Sequence, residues 1–251
     1  MSDGFFVADL APGVQAGDVV VLMGPEARHA AVVRRLRVGE TVVVTDGRGR
    51  GIAGEVRAVD PARVEVVVGA ILEEPLVTPR ITVVQALPKN DRAELAVDLM
   101  TEVGVDRIVP WQAARSVVRW TGERGEASRA KWGRVAQEAS KQARRLRFPE
   151  IAPLATTAGV VGLVRASTVA LVMHERETVP LAEAPLVGVA ECVLVVGPEG
   201  GLTDDEVEAF RAAGARTYSL GPTVLRTSTA GAVAIAQVRT LAQAQTAGEV
   251  R

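Results

Sequence analysis

The chain has 251 residues, 48% of them hydrophobic, with a formal net charge of -1, two histidines and a single cysteine. That length can bury a large core and a smaller one, so two domains are expected, and Cys192 alone excludes an intramolecular disulfide. Two histidines and one cysteine do not make a metal site, no apolar run approaches the ~20 residues that span a bilayer, and Met1 to Phe6 lacks a basic segment ahead of an apolar one, so a soluble cytoplasmic protein without metal is expected.

Residues 1–74 read as β-rich. Short runs of β-branched residues at Asp18 to Met23, Thr41 to Thr45, Gly54 to Val59 and Arg63 to Val68 are separated by the turn pairs Asp46-Gly47 and Asp60-Pro61, the pattern of a small barrel. One helix is expected there, Pro25 to Leu36, carrying Arg28, His29, Arg34 and Arg35. A linker follows at 75–80, where Pro75 and Pro79 bracket a segment without a clear period.

From residue 81 to 251 strands alternate with helices. The strands are expected at Ile81 to Leu87, Arg107 to Trp111, Val169 to Met173, Cys192 to Val196 and Arg216 to Leu220, which argues for a mostly parallel sheet covered on both faces. Punctuation marks the helices: Asn90 caps one that runs to Val103 and stops at Gly104, and Thr203 with Glu206 forms a capping box before a helix ending near Gly214. A third, from about Ala127 to Arg147, is basic, with Arg134, Glu138, Lys141 and Arg145 on one face and Trp132, Val135, Ala136, Ala139 and Ala143 on another. Glu138 is the only acid among seven cations between Arg129 and Arg147, a local charge that suits a directed anionic partner.

Two glycine-proline turns carry the chemical information. Gly197-Pro-Glu-Gly-Gly201 and Gly221-Pro222 each end an apolar strand and precede a helix, the arrangement that lines a ligand site at a parallel sheet's edge. The first brings Glu199 and is followed by Asp204 and Asp205, which would repel a phosphate but not a neutral adenosine bearing a cationic sulfonium. The second leads into Leu225-Arg226-Thr227-Ser228-Thr229, one cation and three hydroxyls, and then a helix of small residues. Alone, the first turn reads more readily as a tight strand-to-helix turn whose acids favour the helix dipole, and the second could simply supply a cap and a solvated arginine; the pair points to a ligand.

These segments resemble the RsmE-type 16S ribosomal RNA uridine-1498 N3-methyltransferases of the SPOUT class. The resemblance covers nearly the whole chain: His29 to Glu40, Pro88-Lys89 with Asp91-Arg92, Thr101 to Val105, Arg115 to Val118, then Glu138, Gln142 and Arg145, and finally Gly197 to Gly201 with Leu225 to Thr227. It implies a PUA-like β-barrel that helps bind RNA, followed by an α/β methyltransferase domain with a trefoil knot, acting as a homodimer on 16S rRNA within the small ribosomal subunit. The cofactor implied is S-adenosylmethionine, held by Met173, His174 and Glu175, by Val196, Gly197, Pro198, Glu199, Gly200 and Gly201, and by Leu220, Gly221, Leu225, Arg226 and Thr227.

N3-methylation requires an imide nitrogen to lose its proton, and a fixed cation that meets the resulting charge lowers the barrier; Arg226 is the candidate catalytic residue. RNA contacts are expected from Arg134, Lys141, Gln142 and Arg145 of the basic helix and from Arg28, His29, Arg34, Arg35 and Arg37. The chain departs from the family at Ser228, where Glu is usual, at Ala143, where Ser is usual, and at Leu99, where Lys is common. The Ser228 change removes an acid or base from that position. Two other functions fit the same residues: a SPOUT methyltransferase acting on another RNA or a ribose 2'-hydroxyl, and an RNA-binding assembly factor without catalysis.

Overall fold

Alternation of inward and outward residues folds the N-terminal part into one curled sheet. In the computed structural model, which describes residues 4–89 and 92–249, strands β1 (Gly4–Val7), β2 (Val19–Met23), β3 (Thr41–Thr45), β4 (Arg50–Asp60) and β5 (Arg63–Glu73) lie in the order β1-β3-β4-β5-β2. All pairs are antiparallel except β1 with β3. Val42, Val44, Val64, Val66 and Val68, each two residues from the next inward side chain of its strand, share a core with Phe6, Leu22, Ile52 and Val56.

Strands β4 and β5 are longer than their β-branched runs. Gly54, the expected start of the β4 run, and Gly51 ahead of it both lie inside β4, and at each a neighbour comes too close for a side chain. A Cβ on Gly54 would lie 2.3 Å from the Val67 carbonyl oxygen, beside the register shift between Ala53 and Gly54. The helix expected over Pro25 to Leu36 is instead α1 (Gly24–Arg28), which widens into a π-helical turn at His29–Val33 and ends at Arg35 with φ +53°. The widened turn lets the Leu36 amide reach the Ala30 carbonyl at 3.0 Å while its side chain is buried in the core.

The chain divides into two units: Met1–Pro75 with Ser140–Phe148, and Leu76–Ala139 with Pro149–Arg251. Within the first, the returning segment is firmly bonded. The Thr45 hydroxyl donates to the Leu146 carbonyl at 2.8 Å, and the amides of Leu146 and Arg147 donate to the Glu74 carboxylate. Leu146 also fills the space over Gly51, where a Cβ would meet its Cδ2 at 2.8 Å.

The second unit holds a six-stranded, all-parallel sheet of β6 (Arg80–Ala86), β7 (Arg107–Trp111), β8 (Glu150–Ile151), β9 (Val169–Met173), β10 (Glu191–Val196) and β11 (Arg216–Tyr218), in the order β11-β9-β10-β6-β7-β8. Its helices are α2 (Arg92–Glu102), α3 (Gly122–Gln142, whose residues from Ser140 on belong to the first unit), α4 (Thr157–Ala166), α5 (Asp204–Ala212) and α6 (Thr227–Glu249). Successive strand residues serve opposite cores. Cys192, Leu194 and Val196 of β10 pack with α2, α3 and α6, and Val193 and Val195 pack with α4 and α5. The expected cap Asn90 and the motif residue Asp91 lie outside the described residues.

Cys192 is 1% exposed, and burial pushes its thiol up to about 12 from an ordinary 9.0. Between those values the unfolded chain releases a proton that the folded chain keeps, so the stabilising preference for the neutral thiol is complete below pH 9.0 and is lost as pH rises toward 12. Melting temperature is therefore expected to fall more steeply with pH above about 9 than in Cys192→Ala. Parallel slopes for the two proteins would show that the thiol ionises freely in the fold.

Among the described residues, no helix is long and apolar enough to cross a membrane, and no group of three or more His, Cys, Asp or Glu is placed to hold a metal ion.

Candidate functional site

Three neighbouring strands of the parallel sheet, β11, β9 and β10, end at one cleft. The chain runs from β9 to β10 in one direction across the sheet, and from β10 to β11 back past β9 in the other. A crevice opens outside the carboxyl ends of strands where connections diverge in this way. Here it is a cavity of about 440 Å³, lined by Met173–Glu175 after β9, Val196–Leu202 after β10, and Ser219–Thr227 with Ala230 after β11. Every residue that the sequence assigned to the cofactor lies on this lining. Leu202, Ser219, Pro222, Thr223, Val224 and Ala230 join them without having been assigned to the cofactor.

The glycines of the first loop are each fixed by a different neighbour. A Cβ on Gly197 would meet Leu202 Cδ2 at 3.0 Å, one on Gly200 would meet Arg115 Cβ at 3.1 Å, and one on Gly201 would meet Glu175 Oε1 at 3.0 Å. Gly201 also has φ +70°, a left-handed conformation that costs other residues about 1 kcal/mol. Main-chain bonds then close the loop. The Gly201 amide donates to the Pro198 carbonyl at 2.9 Å, and the Lys89 amide donates to Glu199 Oε1 at 3.1 Å.

Helix α5 begins at once. Its capping box is complete, with the Thr203 hydroxyl accepting from the Glu206 amide and Glu206 Oε2 accepting from the Thr203 amide at 3.0 Å. Glu206 is 4% exposed, and its Oε1 also accepts the Ala114 amide at 2.8 Å.

The second loop hangs between β11 and α6. The Ser219 hydroxyl donates to the Gly221 carbonyl at 3.0 Å, and Gln237 Nε2 donates to the Leu220 carbonyl at 3.0 Å. The Arg226 carbonyl accepts the amides of Thr229 and Ala230, opening α6, and Gln85 Nε2 donates to the Thr227 carbonyl at 3.4 Å. The Arg226 side chain is exposed on the rim, with no hydrogen bond or ion pair among the described residues. Ser228 is 1% exposed, its hydroxyl has no partner among the described residues, and it does not line the cavity.

The segment after β9 is tied to β11 as well. The His174 amide donates to the Tyr218 carbonyl at 3.0 Å, while Nδ1 of its ring accepts the Arg176 amide at 3.2 Å, which leaves the proton of a neutral imidazole on Nε2. Glu177 accepts the Thr217 hydroxyl, which, with the Thr178 amide, holds its carboxyl below the usual carboxylate range.

The residues expected to meet RNA are placed less uniformly. Arg28, Arg35 and Arg37 are exposed, Arg34 is exposed and has a partner, and the half-buried His29 ring lies edge-on to Phe6 at 6.0 Å. Arg134 and Gln142 are exposed on α3. Lys141 is not on an open surface: it is 6% exposed and its ammonium pairs with Glu26 at 3.1 Å. The helix expected to reach Arg147 ends at Gln142, because the chain turns left-handed at Arg144, φ +56°. Arg145 is therefore off the helical face that carries Arg134 and Glu138; its amide donates to the Ser140 carbonyl.

A parallel sheet covered by helices, with a cavity at its carboxyl edge and a curled sheet ahead of it in sequence, is an α/β ligand-binding domain preceded by a small β domain. Residues 74–239 match the RNA methyltransferase domain family, and residues 15–69 match the RNA methyltransferase PUA domain family. The ribosomal RNA small subunit methyltransferase E of Mycobacterium tuberculosis is 42% identical over 240 residues, covering 94% of this chain and 91% of that protein. The chain belongs to the ribosomal RNA small subunit methyltransferase E family.

Solved structures agree in fold. That of ribosomal RNA small subunit methyltransferase E from Neisseria gonorrhoeae, bound to S-adenosyl methionine, has a TM-score of 0.82 at 26% identity and covers 96% of this chain and 98% of that one. A putative methyltransferase from Legionella pneumophila, in complex with the same cofactor, has a TM-score of 0.85 at 25% identity with the same coverage.

Proposed function

We propose that the chain transfers a methyl group from S-adenosylmethionine to N3 of one uridine, the 1498-equivalent, in 16S ribosomal RNA of the small subunit, working in the cytoplasm as a homodimer. The observation that carries this reading is the composition of the cavity wall. It combines bare main chain at Gly197, Gly200, Gly201 and Gly221 with apolar Leu220 and Leu225, two carboxylates, Glu175 and Glu199, and a single guanidinium, Arg226. A phosphate site would present donors and cations at a helix N-terminus, whereas α5 opens on Asp204, Asp205 and Glu206. The lining would suit an adenosine with a sulfonium instead, since Gly197, Gly200, Gly201 and Gly221 would admit a close approach and Glu175 and Glu199 would offset a positive charge. When bound, S-adenosylmethionine supplies an electrophilic methyl group on a leaving group that needs no metal.

The chain's own residues supply positioning and charge. Uridine N3 is an imide nitrogen, and loss of its proton to solvent water spreads negative charge over two flanking carbonyl oxygens. Arg226, exposed at the rim and without a partner among the described residues, stabilises that charge more than it stabilises the neutral base. Because N3 lies on the pairing edge, the nucleotide must be unpaired or turned out of its stack. Arg28, Arg34, Arg35 and Arg37 of the first unit and Arg134 and Gln142 of α3 are the surface groups for RNA. Ser228 itself is buried and off the lining.

Nucleoside mass spectrometry of 16S rRNA from a strain lacking the gene tests the substrate. Loss of 3-methyluridine, restored by the intact gene, is expected; an unchanged level would reject the assignment.

A further inference from the structure

The geometry points to Arg115 as a positioning residue of the cofactor cavity, reaching it from a strand whose end does not line it; the inference rests on the cofactor assignment above. Arg115 follows β7, two strands away from β10 in the sheet. Its Nη1 donates to the Gly200 carbonyl at 3.1 Å and to the Leu202 carbonyl at 3.2 Å. Both protons of that nitrogen are thereby used, so the guanidinium has one orientation and the two carbonyls one spacing. The contact is also steric, since Gly200 sits so close that a Cβ there would lie 3.1 Å from Arg115 Cβ and 3.5 Å from its carbonyl oxygen.

A surface arginine fixes nothing if its own loop is loose, and this loop is gripped from the opposite side. Glu206, buried in the first turn of α5, accepts the Ala114 amide at 2.8 Å, and the Ser116 amide closes a turn on the Ala113 carbonyl. The two loops therefore hold each other: α5 binds the main chain next to Arg115, and Arg115 binds the main chain just ahead of α5. With the Gly200 and Leu202 carbonyls committed to Arg115 and the Gly201 amide to Pro198, the loop's path is set before any ligand arrives. Preorganisation of this kind raises affinity by removing an ordering cost from binding.

The test is isothermal calorimetry with S-adenosylmethionine, paired with thermal melting and steady-state assays on small ribosomal subunits. Arg115→Ala should weaken cofactor binding about tenfold and raise the KM for cofactor, leaving the KM for RNA unchanged. Melting temperature should stay within a degree or two, because the side chain is exposed. Arg115→Lys, which keeps the charge without the fork, should recover part of the loss, and Gly200→Ala should reproduce it from the other partner. Cofactor affinity within twofold of the unmodified protein would overturn the proposal, as would a loss confined to the KM for RNA, or one that merely tracks a large drop in melting temperature. Absence of binding in the unmodified protein would overturn the cofactor assignment and this inference with it.

Discussion

Replacement of Arg226 by alanine is expected to lower kcat about a hundredfold or more while changing the cofactor dissociation constant less than about threefold. The expectation follows from where the side chain stands. Its carbonyl helps open α6, so the main chain is fixed, but the guanidinium is exposed and has no partner among the described residues. A cation held at such a place does little for a neutral base and much for an anion that exists only as the proton leaves. Removing a single preorganised donor to a developing oxyanion costs about a hundredfold to a thousandfold in other enzymes, which sets the scale. Arg226→Lys keeps the charge but not the planar fork and should fall between. Single-turnover methyl transfer to small ribosomal subunits, beside calorimetry, separates the two quantities. Equal losses in rate and affinity would make Arg226 a cofactor ligand and leave the charge on the base without an identified partner.

Arg239→Ala should cost about 3 kcal/mol of stability, which for a chain of this size lowers the melting temperature by about 6–12 °C. Arg239 projects from α6 and is only 16% exposed in its side chain. It donates to the carbonyls of Val77, Pro79 and Gly104 and to Asp106 Oδ2 at 3.0 Å. Asp106, 12% exposed, in turn accepts the Ile81 amide at 2.7 Å. Truncation would leave a largely buried carboxylate with only the Ile81 amide and would take the donor from the part-buried Pro79 and Gly104 carbonyls, and unpaired buried groups cost more than an exposed ion pair is worth. Calorimetric unfolding measures it. A loss below about 1 kcal/mol would mean that water replaces the guanidinium at every acceptor.

The sequence disclosed strands better than it disclosed their neighbours. Arg107–Trp111 and Val169–Met173 end in the structure where their apolar runs end, because a strand buried on both faces has a compositional edge at each side. Strands β1 and β8, of four and two residues, are too short to show a period, and the glycines inside β4 disguise it. The order β11-β9-β10-β6 depends on which strand each crossover reaches, and no local pattern encodes that. The cavity was legible because glycine and proline punctuate its loops. Its support was not: Arg115 meets Gly200 across 85 residues, and Gln85 meets Thr227 across 142. Lys141 shows the opposite failure, a cation on an evident basic stretch that proves to be buried against Glu26.

The return of Ser140–Phe148 to the N-terminal unit bears on how such proteins can be recombined. A gene cut after Pro75 would encode a curled sheet whose Thr45 hydroxyl, Glu74 carboxylate and hollow over Gly51 had lost their occupant. The unit is contiguous in space and discontinuous in sequence. Shuffling it between relatives would have to carry a second, distant stretch of coding sequence, so the RNA-binding and methyltransferase parts are bound to be inherited as one piece.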